Sequence, residues 1–413
     1  MPEFSFQDLD LDKDSIRLLQ IEQGSRFDRI SCSLFEAFLD PDQCPTYKAL
    51  SYTWGGGENS RRILVNNHEF EITANLYSAL WHIRRSDEDV LLWVDAICIN
   101  QKNDREKGHQ VNQMGRVYSA AEEVLVWLGP PSNGDTEELI QSIDWIDINV
   151  SKAKIGRNSA DWASLCRHFM IQRLGSPGSH AYLAQRQALE ELLKNRWFRR
   201  IWILQEVAMA RSARIHCGSF SCPARTFGLM PLVMELGVNQ STQAVLDIMP
   251  RVRKNTWWSS RRDLQHLLKK FARSRATDPR DMIYALLSMS EDAHNPKQFF
   301  PSYEKTINQV CQDTACFIMF GEILDFSQSL PEFSLGELYP PTTEMVERTL
   351  RWALHQPFSQ PGDHGSSAKR VAVLLADRLN QGQLETDDLL LSISWGALRE
   401  KMEALLSHLQ RPY

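Results

Sequence analysis

No run of about 18 apolar residues occurs in the 413-residue chain, so no membrane span is expected. The best candidate, Val90–Ile99, is short and contains Asp95. The N-terminal segment, Met1–Asp14, is acidic and lacks a basic stretch followed by an apolar core, which argues against a signal peptide. Positive charge is not in excess: 46 Lys and Arg stand against 52 Asp and Glu, a formal charge of -6. That balance lacks the footprint of a nucleic-acid binder. The eight cysteines are scattered, and the pairs Cys217/Cys222 and Cys311/Cys316 have no histidine at zinc-site spacing. They read as reduced thiols of a cytosolic or nuclear protein. His109, His168, His180, His216 and His266 form no sequence-local ligand set, so no metal site is expected. No internal repeat is visible.

What is present is ordinary globular material, 43% hydrophobic and 24% charged, long enough for two to three domains or one domain with insertions. Twelve tryptophans are many, and a buried indole N–H needs a partner, so some of these rings are expected to line sites or interfaces. Ile16–Phe38 reads as two strands split by Gln23-Gly24-Ser25, and Arg62–Ile72 as a hairpin turning at Asn66-Asn67. Leu76, Ala79, Leu80 and Ile83 form a helical stripe behind the caps Thr73 and Asn75. Val90–Val94 and Val124–Leu128 are continuous apolar runs of the kind buried on both faces of a parallel sheet. Between them, Asn103 and Glu106 predict a capping box ahead of a helix. Strand alternating with helix implies an α/β sheet. Residues 132–180 read as a helical insertion. Asn195–Ala210 reads as one aromatic-rich helix. Asp278-Pro279 reads as a helix start and Thr306–Phe320 as a helix. Residues 355–369 read as a Pro/Gly/Ser-rich linker.

Three clusters could carry chemistry. Ser51-Tyr52-Thr53-Trp54-Gly55-Gly56-Gly57 ends a strand with hydroxyl, aromatic and glycine residues; it is either a ligand loop with Trp54 as a stacking face or a plain turn. No helix follows it, so it is no P-loop. Asp95 follows the apolar run that ends at Val94, where sheet ligands bind. Asn100 and Gln101 are expected to tie down loop backbone, and Cys98 between two isoleucines to be an inert core thiol. In Arg196–Glu206, Trp202 and Glu206 share a helix face. A carboxylate there is costly unless used or paired, the pairing candidates being Arg199 and Arg211.

These segments together resemble the fungal heterokaryon incompatibility (HET) domain. The resemblance rests on Ala49-Leu50-Ser51-Tyr52-Thr53-Trp54-Gly55 and on Leu92-Trp93-Val94-Asp95-Ala96-Ile97-Cys98-Ile99-Asn100-Gln101. It continues through the helix bearing Glu106, Gln110, Met114, Tyr118 and Ala121, then Val126-Trp127-Leu128-Gly129, then Arg196-Trp197-Phe198 to Gln205-Glu206. It covers residues 15–230, with Asp278-Pro279-Arg280-Asp281 and Pro301-Ser302-Tyr303 similar to the usual continuation. The implied organisation is a HET domain over 15–230, a helical extension over 231–330 and a C-terminal helical region over 331–413. The resemblance implies a cytoplasmic executor of programmed cell death, acting downstream of a non-self sensor and forming a homo-oligomer on activation.

The family is regarded as distantly TIR-like, which implies a flavodoxin-like, mostly parallel sheet core and NAD as a substrate, with no resident cofactor. By that likeness Glu206 would be catalytic, at the place of the glutamate in the W-C-x-x-E motif, with Ile203 where the motif has Cys. Ser51, Tyr52, Trp54, Gly55, Asp95 and Trp202 would bind substrate. The alternatives are a self-associating signalling module without chemistry and a nucleotide sensor without turnover.

Overall fold

The computed structural model describes residues 4–55, 59–153, 159–250, 256–295 and 297–324, and beyond these only 327, 330–338, 348–349 and 352. The expected linker at 355–369 and most of the 331–413 region lie outside the described residues, as do Gly56 and Gly57. The chain divides into two units, one of Met1–Arg261 with Arg273–Ala276, the other of Arg262–Ala272 with the described residues from Thr277 onward.

The apolar runs of the first unit pair into a nine-stranded sheet. In chain order the strands are β1 Ser15–Ile21, β2 Ser31–Phe38, β3 Lys48–Ser51, β4 Ser60–Val65, β5 His68–Thr73, β6 Val90–Trp93, β7 Glu123–Trp127, β8 Ala213–Cys217 and β9 Phe220–Pro223. Their spatial order is β5-β4-β2-β1-β6-β3-β7-β8-β9. The centre, β6-β3-β7-β8, is wholly parallel. Antiparallel partners flank it, β1 beside β6 and β9 beside β8. This is the α/β architecture expected, and the two continuous apolar runs are its β6 and β7. Counted in chain order, the four parallel strands lie 2-1-3-4, the order that begins a flavodoxin-like sheet. In such sheets the crevice for a ligand opens where the winding direction reverses, at the carboxyl ends of the first and third strands, here β3 and β7.

Local chemistry explains most boundaries. Asn66 and Asn67 both take positive φ, 49° and 64°, as the tight β4–β5 turn requires. Thr73 caps α1, Ala74–Ile83, by accepting from the Leu76 N–H. A single turn, α2 Asp95–Cys98, follows β6, and Asn103 caps α3, Asp104–Ala120, by accepting from the Glu106 N–H. The return arm of the expected capping box is diverted. Glu106 instead binds Arg17 of β1 in a fork, 2.6 and 3.0 Å, and accepts from the Asn100 N–H at 2.8 Å. Arg17 and Glu106 are 3% and 1% exposed, so this pair fixes the loop after β6 from inside the protein.

The 132–180 stretch forms α4 Gly134–Lys152 and α5 Ser159–Leu174, and α6 spans His180–Leu193. The single helix predicted over Asn195–Ala210 is instead a 3-10 turn at Arg196–Arg199 and a short helix, α7 Ile203–Ala208. The break has a backbone cause. The Ile201 N–H donates to the Arg275 carbonyl at 3.0 Å, and the Arg275 N–H to the Arg199 carbonyl at 2.6 Å. That pairing draws Arg200 into extended backbone.

After α7 the first unit adds α8 Ala224–Phe227, α9 Met230–Val233 and α10 Gln240–Asp247. The second unit holds α11 Leu264–Phe271, α12 Asp281–Leu287 and α13 Ile307–Phe320. Asp278 does not start α12. It accepts from the Arg280 N–H and side chain in the preceding turn, and the helix begins at Asp281. Thr306 and Gln309 form a complete capping box at α13. Among the described residues no helix is long and apolar enough to cross a membrane.

Replacing Glu106 by Leu would strand the buried Arg17 guanidinium and is expected to cost about 3–5 kcal/mol in denaturant unfolding. The double change Glu106→Leu with Arg17→Met should recover most of that loss.

Candidate functional site

β3 is hydrogen-bonded on both sides, to β6 and β7, so its last residue, Ser51, is fully buried. The Tyr118 hydroxyl of α3 donates to the Leu50 carbonyl at 3.1 Å and braces the strand's end. The Trp197 indole N–H donates to Ser51 Oγ at 2.9 Å, tying the 3-10 turn to the same point. Beyond Ser51 the chain is held by Asn75 of α1. Asn75 donates to the Thr53 carbonyl at 2.6 Å and accepts from the Trp127 indole at 3.0 Å. Gly55 has φ 79°, in the left-handed region where a side chain is disfavoured.

Asp95 opens α2 directly after β6 and is 5% exposed. Its Oδ1 accepts from the Ala96 N–H at 2.8 Å. Its Oδ2 accepts from the Trp54 indole at 2.9 Å and from Arg200 at 2.9 Å. Gln101 donates to the Asp95 carbonyl at 2.9 Å, the backbone-tying role expected of it. The Arg200 side chain, 17% exposed, also donates to the Tyr52 carbonyl, and its guanidinium carbon is 5.8 Å from the Trp54 ring centre. Burial opposes the Arg200 charge, but Asp95 and Glu206 more than offset it and raise its pKa.

Glu206 rides on α7, all six residues of which are buried. The helix packs on α3 and β3, with Gln205 Nε2 3.6 Å from Met114 Sδ. Glu206 is 1% exposed, and neither carboxylate oxygen accepts a hydrogen bond. Its nearest described cation is Arg200, at 3.9 Å from Oε1. Burial pushes the Glu206 carboxyl up to about 7; Arg200 works against that rise, while Asp95 adds to it. Burial, with Asp95 beside it, likewise raises Tyr52.

The structure therefore brings Ser51, Tyr52, Trp54, Asp95 and Glu206 together through Arg200 and Trp197. Trp202 is half-buried one turn before Glu206, the spacing expected, although it flanks α7 rather than lying within it. The ion-pair partner of Glu206 is neither Arg199 nor Arg211 but Arg200. Arg200 and Trp197 were missed as site residues. The signal for Trp197 was available, because a buried indole N–H must find an acceptor. Cys98 is a core thiol, its pKa pushed by burial up to about 12. A cleft of about 630 Å³ opens beside Phe4, Phe6, Phe70, Asn100, Gln101 and Lys102. The Glu206 group does not line it.

Residues 47–206, the stretch that contains Ser51, Tyr52, Trp54, Asp95, Trp197, Arg200 and Glu206, match the family model described as Heterokaryon incompatibility protein (HET). The chain carries a HET domain. An alignment 243 positions long, which covers 52% of this chain, is 29% identical to Heterokaryon incompatibility protein 6, OR allele, of Neurospora crassa. The match spans 35% of that relative's length. No solved structure matches the chain. The boundaries of the HET match, from Tyr47 to Glu206, run from the residue that leads into β3 to the buried carboxylate itself.

An acid whose folded pKa lies above its unfolded value binds its proton more readily when folded, so it destabilises the fold as pH rises between the two values. For Glu206 that window runs from 4.5 to about 7. Glu206→Gln should therefore gain stability relative to the parent as pH rises through this window, with the difference levelling above it. The gain should reach at most about 3 kcal/mol, read by chemical denaturation across pH.

Proposed function

We propose that this chain acts in heterokaryon incompatibility as an effector of programmed cell death, and that its chemical act is hydrolysis of NAD at the nicotinamide–ribose bond. The role is supported by the HET domain and by the name of the Neurospora crassa relative. The chemistry is supported by one observation above the others: a buried carboxylate without a hydrogen-bond partner stands at the carboxyl end of the central parallel strands. Its spacing from Trp202 is the Trp-to-Glu spacing of the W-C-x-x-E motif in the resemblance to TIR enzymes.

The reaction needs little from the protein beyond charge and position. The bond from ribose C1′ to the ring nitrogen breaks, its electron pair stays on nitrogen, and neutral nicotinamide leaves. Positive charge builds on the ribose, which an ionised Glu206 stabilises in a site of low polarity. Water adds to C1′ and gives up a proton, which Glu206 can accept because its pKa lies near neutrality. The products are ADP-ribose, nicotinamide and a proton. Asp95 would hold ribose hydroxyls, Trp54 would stack on a ring, and the Ser51 hydroxyl would polarise the ribose side.

A second reading rests on the burial of Ser51 and Glu206, at 0% and 1% exposed. A self-associating module would use the Arg200–Glu206 contact for structure alone. A sensor would bind nucleotide without cleaving it.

Nicotinamide release from NAD by purified protein, dilute and then concentrated with a crowding agent, separates these readings. Hydrolysis predicts release that falls by about 100-fold or more in a folded Glu206→Gln protein. Release unchanged by that substitution removes Glu206 from the chemistry. Saturable binding without release supports the sensor, and assembly with neither supports the module.

A further inference from the structure

The guanidinium of Arg200 occupies a setting that suits a flat organic cation. Asp95 Oδ2 binds its edge at 2.9 Å, the Tyr52 carbonyl takes a second N–H, and Glu206 Oε1 stands 3.9 Å away. The Trp54 indole lies alongside, 5.8 Å from guanidinium carbon to ring centre. Carboxylates at the rim and an indole beside the plane are how proteins recognise delocalised cations. A purely structural arginine pair would use up the hydrogen-bonding capacity of its acids. Here two buried carboxylates face one guanidinium, and the more deeply buried one, Glu206, accepts no hydrogen bond. The surroundings are fixed without Arg200: Asp95 keeps its bonds to Trp54 and to the Ala96 N–H, and Trp197 holds Ser51. The Arg200 backbone is pinned through Arg275, but its side chain is 17% exposed and Trp54 beside it is 40% exposed, so a way out lies on the solvent side.

We propose that Arg200 is a built-in occupant of a planar-cation subsite, and that the ligand of this site carries a flat cationic ring of the N-substituted pyridinium class, which displaces the Arg200 side chain. The inference deepens the reading of the site as one for NAD, whose nicotinamide ring is such a cation, and rests on it for the choice of ring. It assigns Arg200 a role in admission and not in bond cleavage. In this closed arrangement affinity is reduced by the fraction of time Arg200 stays in place.

The test is calorimetric titration of the full chain and of Arg200→Ala with three probes: 1-methylnicotinamide, which is cationic and has no ribose to lose; neutral nicotinamide; and methylguanidinium. The expected result is at least about 10-fold tighter binding of 1-methylnicotinamide to Arg200→Ala than to the parent, with methylguanidinium competing. Nicotinamide should gain less than about 3-fold, because it shares the ring and lacks the charge. A folded Arg200→Ala protein with no gain for the cation, or an equal gain for the neutral ring, overturns the proposal. If Arg200→Ala folds only with methylguanidinium or 1-methylnicotinamide present, that rescue supports it; failure of both to restore folding overturns it. Binding is read without turnover, so the two readings fail separately. Cation gain in a protein that cleaves no NAD leaves the subsite standing, and NAD cleavage without cation gain removes it.

Discussion

Two buried carboxylates and one half-buried guanidinium meet at the carboxyl end of the parallel centre of the sheet, and the surrounding structure answers to that charge. Removing ions from water is expensive, and attraction between them repays the cost only where the remaining bonding capacity is filled. Asp95 is filled, by Arg200, the Trp54 indole and a backbone N–H. Glu206 is not, and its proton affinity rises accordingly. The central strands supply the rigidity that keeps so unfavourable a group in place. β3 is paired on both sides, its end is braced by Tyr118 and Trp197, and α7 packs against it.

The helices between β7 and α7 illustrate how a site survives a large insertion. Glu206 reaches β3 because α7 is buried all round and anchored to α3, so its place is set by packing and not by the length of chain leading to it. The break before α7 matters equally. A continuous helix would have carried Arg200 along a helical face. Extended backbone paired with Arg275 instead turns its side chain toward Tyr52 and Asp95.

Much of the fold was legible because local signals agreed with tertiary demands. Asn66-Asn67 named its turn, Thr73 and Asn103 named their helix starts, and the apolar runs ending at Val94 and Leu128 read as strands buried on both faces. Legibility failed where a side chain had two partners to choose from. Glu106 fits a capping box by spacing, yet a guanidinium 89 residues away in sequence is the stronger partner. Asp278 has the look of a helix cap and serves the preceding turn, where Arg280 claims both of its oxygens.

Sequence alone was enough for the α/β class, for the buried strand that leads to Asp95, and for the choice of Glu206 as a carboxylate out of place. Those follow from periodicity and from the cost of an acid on an apolar face, both of which are local. Tertiary structure alone decided that Arg200, and not Arg199 or Arg211, faces Glu206, and that Trp197 holds Ser51. Three arginines close in sequence are chemically equal until the backbone assigns each a direction. That direction came from a strand-like bridge to Arg275, a contact between distant parts of the chain that no local pattern encodes.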